Sequence, residues 1–159
     1  MLKLSLIGTV LVALTVVIHA LGTTYLVRYL AQRFLDERGR WGSGHAMVAL
    51  IMAAVVLVLL HTLEIILWAG AYTALVPAGE LADLESAVYF SFVTFTTLGY
   101  GDITLGEGWR LLSGIQALNG ILLVGWSTAL MFAVVQKSWQ GFVRSDFDSD
   151  SRKIEITGD

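Results

Sequence analysis

Three stretches of this chain are too long and too apolar to face water: Leu4–Val27, Ala46–Gly70 and Leu111–Gln136. The first holds one histidine and no full charge. The second holds only His61 and Glu64 among runs of Val, Leu, Ile and Ala, and the third carries no charge. Each exceeds the roughly 20 residues that a helix needs to cross a bilayer core. Backbone polar groups in lipid must be bonded within the protein, so all three are predicted as transmembrane helices. Composition agrees. Of 159 residues, 56 % are apolar and 14 % charged, against about 45–50 % and about 25 % in soluble domains. Mean hydropathy is +0.73. A net charge of −3 removes the basic excess of a nucleic-acid binder. The lack of cysteine removes disulfides, thiolate metal sites and cysteine nucleophiles. A soluble enzyme and a disordered chain are excluded, and neither enzymatic activity nor a nucleic-acid partner is expected.

A fourth apolar run, Ala87–Leu98, is too short to span and reads as a re-entrant or buried helix. The first stretch reads as a retained helix and not a cleaved leader, with one Lys3 before it and no small-x-small site after it. Lys and Arg set the orientation. They occupy the loop Arg28–His45 and the tail after Gln136, whereas Ala71–Trp109 has none and carries Glu80, Asp83, Glu85, Asp102 and Glu107. The expected topology is multi-pass in the cell membrane, with the amino terminus outside and the carboxy terminus cytoplasmic. Trp68, Tyr72 and Trp109 are expected at the outer interface and Trp139 at the inner one. Gly39–Gly44 is a turn-rich break before the second helix, and the sole proline, Pro77, sits with Gly79 in the outer loop.

The outer segment carries the chemistry. Asp83 or Ser86 can cap a helix beginning near Ala87. A helix entering from outside aims its partially negative C-terminal end into the membrane, where it favours a cation. Thr97-Leu98-Gly99-Tyr100-Gly101 then breaks the helix. Non-helical backbone at that depth is tolerated only when protein buries it or it lines a water-filled cavity. Several copies around an axis can aim their carbonyls at ions in place of the hydration shell. Gly99 and Gly101 permit the dihedrals this requires. The Thr97 hydroxyl can add to the carbonyl stack, and Tyr100 can brace the loop against Tyr89 and Phe90.

Thr96-Thr97-Leu98-Gly99-Tyr100-Gly101-Asp102 resembles the signature of the potassium-channel superfamily. The order of outer helix, pore helix, filter and inner helix resembles its two-helix pore domain. The chain as a whole is similar to small prokaryotic pore-only channels with one added N-terminal helix. The resemblance implies an all-α membrane fold of three transmembrane helices, a re-entrant pore helix and a filter loop per chain, assembled as a homotetramer. It divides the chain into a first helix and cytoplasmic loop (1–45), a pore domain (46–137) and a cytoplasmic polar tail (138–159). It implies passive, potassium-selective conduction, with K+ as permeant ligand and no other cofactor. K+ would bind at the carbonyls of Thr97, Leu98, Gly99 and Tyr100 and at the Thr97 hydroxyl, with Gly101 completing the filter. Thr96, Tyr89, Asp102 and Glu64 would support it. Two departures stand out. Leu98 occupies a position where Val or Ile is commoner, and Val93 replaces the pore-helix glutamate that pairs with the filter aspartate in some members, which leaves Asp102 without that partner.

Other features have competing readings. Gly99-Tyr100-Gly101-Asp102 also spells the string of intramembrane aspartyl proteases, but no second aspartate lies in a span. Glu64, on one helical face with His61, Ile65 and Trp68, is a functional candidate by its place in a membrane helix. It reads as a buried carboxyl bonding loop amides or hydroxyls behind the filter, as a pH sensor shared with His61, or as part of a metal site short of ligands. His19, alone in the first helix, reads as a packing or interhelical hydrogen-bonding residue in preference to a ligand. Gly120 reads as a close-packing position or as a gating hinge, and Asn119 faces either the cavity or a neighbouring helix. Asp146, Asp148 and Asp150 fall short of a calcium loop, since Ser151 and Thr157 replace the glycine and glutamate it needs. The arginines of 28–40 lie too far outside a span for a voltage sensor. Gating is expected from the filter, inner helix, lipid, pH or a separate regulatory subunit. The rival functions are a non-conducting or regulatory subunit with the pore fold and a weakly selective cation channel.

Overall fold

The computed structural model describes residues 2–34, 43–77, 79–81 and 83–157, with side chains described as far as Trp139 apart from those of Ser43 and Gly44. Its regular elements are α-helices: α1 (Leu2–Phe34), α2 (Ser43–Leu75), α3 (Leu84–Phe95) and α4 (Arg110–Thr157). Three of them are long and apolar enough to cross a membrane, over Leu2–Phe34, His45–Leu75 and Arg110–Trp139, and α3 is a shorter apolar helix. This is the all-helical membrane fold expected.

The helices outrun their apolar stretches. At about 1.5 Å per residue, 33-residue helices reach about 50 Å, against a hydrocarbon core of about 30 Å. α1 continues past Val27 to Phe34 because residues 28–34 contain no glycine or proline and are mostly good helix formers. α4 likewise continues through the polar tail, including Asp146, Asp148 and Asp150, to Thr157. Residues 39–42 of the expected break lie outside the described residues, and α2 has begun by Ser43.

α3 starts three residues earlier than expected. Its N-cap is Asp83, whose side chain accepts the Ser86 backbone N–H at 2.8 Å from an extended conformation. That amide holds the Asp83 carboxyl below the usual carboxylate range.

The chain divides into two compact units, Met1–Gly22 with Val58–Trp126 and Thr23–Leu57 with Ser127–Asp159. In the first, Trp68, Tyr72, Val76, Phe90, Leu105 and Leu112 form one apolar cluster and Ile65, Phe95 and Leu123 another. Trp68 and Tyr72 are fully buried, which corrects their assignment to the outer interface: both rings turn inward to pack beside the pore helix. In the second unit Leu26, Leu30, Ala46, Ala49, Ala53, Leu57 and Val134 pack together. Alanines every three or four residues let helices approach closely where lipid supplies no hydrophobic drive.

Candidate functional site: the loop after the pore helix

A buried polar relay fixes α3 between two long helices. Tyr72 on α2 donates to Gln116 Oε1 on α4 at 2.7 Å. Gln116 Nε2 donates to the Ser91 hydroxyl at 2.7 Å and the Ser91 carbonyl at 3.2 Å. Ser91 on α3 in turn donates to the Ile65 carbonyl of α2 at 2.7 Å. Every polar atom of the relay has a partner, so breaking it strands a buried group. Tyr72 also packs edge-on against Phe90, 5.1 Å between ring centroids. Sequence reasoning did not single out Ser91 or Gln116, and the only signal was two polar residues in apolar runs.

At its inner end α3 closes in a Schellman motif. The Thr97 N–H bonds the Thr94 carbonyl and the Leu98 N–H bonds the Val93 carbonyl, both at 3.0 Å. The Gly99 N–H also returns to Val93, at 3.2 Å. The motif needs a left-handed residue just past the helix, and here that residue is Thr97 at φ 59°. A β-branched side chain there costs about 1–2 kcal/mol. Positive φ recurs at Gly99 (54°) and Gly101 (78°), whereas Leu98 and Tyr100 keep negative φ. Alternation of negative and positive φ turns successive N–H groups to one side of the chain, which leaves the carbonyls on the other. The N–H groups of Thr97, Leu98 and Gly99 are bonded to the helix end, and among the described residues none of the carbonyls of Thr97, Leu98, Gly99 and Tyr100 accepts a hydrogen bond.

Residues 96–102 are all exposed in the single chain. Behind the loop, a groove of about 400 Å³ runs between Tyr89, Val93 and Asp102 on one side and Ser113, Gly114 and Ala117 of α4 on the other. Tyr100 is 67 % exposed, so the expected brace against Tyr89 and Phe90 is not made within one chain. Tyr89 instead donates its hydroxyl to Asp102 Oδ2 at 2.7 Å. This bond holds the Asp102 carboxyl below its usual range and pushes the Tyr89 hydroxyl up. Asp102 therefore has a partner one helical turn before Val93, where sequence comparison saw none. Thr96 bonds its hydroxyl to the Phe92 carbonyl at 2.8 Å.

Glu64 does not bond loop amides or hydroxyls, which corrects that reading. Its Oε1 lies 2.9 Å from His19 Nδ1 and its Oε2 lies 3.0 Å from His61 Nδ1. Two imidazoles already in reach satisfy the carboxylate without the loop. Its route to the loop runs through His61, whose ring lies 5.6 Å from that of Phe95, the last residue of α3. His19 makes the interhelical bond expected of it. Asn119 faces α1, donating to Thr15 Oγ1 at 2.9 Å. Gly120 is buried, and a Cβ built on it would collide with the Phe95 carbonyl, lying 2.8 Å from its carbon. Close approach accounts for this glycine without invoking a hinge.

Residues 60–137 match the model of a family described as ion channel. Comparison with curated proteins and with solved structures finds no match. The matched segment contains α3, the loop and most of the apolar part of α4, so this part of the chain is similar to an ion-channel domain, and the chain has three helices long and apolar enough to span a membrane.

Proposed function

We propose that this chain is one subunit of a homotetrameric channel that conducts K+ passively and selectively. One observation carries the reading: from Thr97 to Gly99 the backbone donors turn back to the helix end, while the carbonyls from Thr97 to Tyr100 stay free. A dehydrated monovalent cation needs such a stack of neutral oxygens, and four chains around an axis would surround it. The C-terminal end of α3 adds its partial negative charge at the inner end of the stack. The carbonyls of Thr97, Leu98, Gly99 and Tyr100 bind the ion in this reading, with the Thr97 hydroxyl below them. Gly101 turns the chain out, and Tyr89 steadies Asp102 at the mouth.

Assembly follows from exposure. Free carbonyls and an exposed loop are not tolerated in lipid unless other chains enclose them. The groove behind the loop is open in one chain and suits an aromatic side chain such as a neighbour's Tyr100. Lys and Arg counts favour an outer mouth and a cytoplasmic carboxy terminus in the cell membrane.

The test is flux into liposomes containing the purified chain, with K+ or Na+ as the only permeant cation. K+ flux should exceed Na+ flux by about tenfold or more, as a carbonyl filter requires, and cross-linking should stop at four chains. Equal fluxes from an intact tetramer would make it a weakly selective cation channel. No flux from that tetramer under any pH or lipid condition would make it a non-conducting subunit.

A further inference from the structure

We infer that His19, His61 and Glu64 form an intramembrane binding site for a divalent transition-metal ion of the zinc class. The three residues come from two helices. His61 and Glu64 share one face of α2, and His19 reaches them from α1. Their ligating atoms all lie within 4.8 Å of one another. The Nδ1 atoms of His19 and His61 each face a different oxygen of Glu64, at 2.9 and 3.0 Å. An ion at about 2.0–2.1 Å from nitrogen and oxygen donors holds adjacent donors about 2.9–3.4 Å apart. The spacing of the two hydrogen bonds is already that of neighbouring ligands, so an ion takes the place of both bonds once each neutral imidazole carries its proton on the other ring nitrogen.

The surroundings fix the donors and select the ion. The two imidazoles stack at 5.2 Å with 24° between planes, so both address the same carboxylate. Trp126 stands edge-on to His19 at 5.5 Å, and Phe95 flanks His61. Calcium, magnesium and the alkali ions require oxygen ligands, whereas two imidazoles and a carboxylate suit zinc-class ions. Glu64 and His19 have fully buried side chains, and His61 is 17 % exposed, which makes its edge the side open to an arriving ion. No lysine or arginine pairs with Glu64 among the described residues. A buried carboxylate without a fixed cation demands a counter-charge, and a divalent ion provides it. Three protein ligands leave a position for water.

The site also adjoins the pore. Phe95 touches His61 and rests its carbonyl on Gly120, so an ion joining α1 to α2 stiffens the foot of the proposed filter. Binding itself does not depend on the conduction reading.

The experiment strips the full-length chain in detergent with a chelator and titrates Zn2+ against a chromophoric competitor, with Co2+ as the spectroscopic probe. The expected result is one Zn2+ per chain, undisturbed by excess Ca2+ or Mg2+. Affinity should weaken as pH falls, because the imidazoles must be unprotonated to ligate. His19→Ala and Glu64→Gln should each weaken binding by about 100-fold or more, since even loss of an outer-shell partner costs about 10–100-fold. Should those buried changes unfold the chain, the half-buried His61→Gln tests the same site: it should shift the Co2+ absorption bands and lower affinity in a chain of unchanged helicity and assembly. Substoichiometric zinc in the natural chain, or zinc affinity unchanged in His61→Gln, would overturn the site. Zinc should also alter K+ flux in the natural chain but not in His61→Gln. Stoichiometric, histidine-dependent binding to a chain that conducts nothing would leave the site standing and sink only the channel reading.

Discussion

The two units of the chain are built from the same three long helices yet hold themselves together differently. In the first, buried polar groups reach from helix to helix: Tyr72 to Gln116 to Ser91 to the Ile65 carbonyl, Asn119 to Thr15, and Glu64 to His19. In the second, the apolar cluster is mostly alanine and leucine, Thr23 and Ser127 are buried beside it, and the buried Ser138 hydroxyl bonds its own helix at Val134. Alanine faces pack tightly but slide, since one methyl resembles the next. A hydrogen bond between helices specifies one register and strands a buried group if that register slips. In the first unit such links join the helices that hold the loop of strained backbone.

Substitutions can break this contrast, and the largest effect is expected at Gly99. Its φ of 54° admits no Cβ without strain, so Gly99→Ala should reduce selective K+ flux to that of empty liposomes while the helical content by circular dichroism stays unchanged. Next is Gly120→Ala, where the colliding atoms belong to backbone and cannot swing aside. It should cost about 1–3 kcal/mol in denaturation of the assembled protein, as overpacking does. Ala53→Gly in the second unit should cost only about 1 kcal/mol, the difference in helix propensity. Tyr72→Phe leaves Gln116 with an unpaired buried oxygen and should cost about 1–3 kcal/mol, whereas Ser138→Ala should stay within about 0.5 kcal/mol because its hydroxyl links nothing across helices. Equal losses from those last two would erase the distinction between the units.

Thr97→Gly sharpens the same point. It removes a left-handed β-branched residue and should stabilise the chain by about 1 kcal/mol. It also deletes the hydroxyl below the carbonyls, so the K+ over Na+ flux ratio should fall. Strain kept at a working position is the expected trade of stability for function.

The smallest effect belongs to Tyr89→Phe. Asp102 is held below the ordinary carboxylate range by the Tyr89 hydroxyl. The stability from this bond is complete above the unfolded carboxylate pKa and is lost as pH falls through the lower folded value. Removing the hydroxyl should move the Asp102 titration, followed by carboxyl-carbon NMR, upward toward the ordinary carboxylate value. An unchanged midpoint would mean that the bond does not form in the assembled protein.

Local and periodic features were legible without coordinates. Apolar length alone marks three helices as spans, because lipid leaves the backbone no other way to bond itself. The pore helix and the loop were legible because capping by Asp83 and the Gly-x-Gly spacing act over a few residues. What depends on which helix lies beside which was not. Trp68 and Tyr72 suit a membrane interface by residue type, and only their place beside Phe90 turned them inward. Glu64 signalled importance by being an acid in oil, but its partners lie 45 residues and three residues away, and no spacing rule links α1 to α2. Gly120 suits a hinge or a contact equally until the Phe95 carbonyl is found resting on it. Sequence by itself determined the apolar spans, the helices and the positions of the loop's glycines, since each follows from composition or from neighbours along the chain. Tertiary structure decided the interhelical partners of Tyr72, Gln116, Ser91, Asn119 and Glu64, since those bonds join segments whose separation in sequence carries no information about their distance in space.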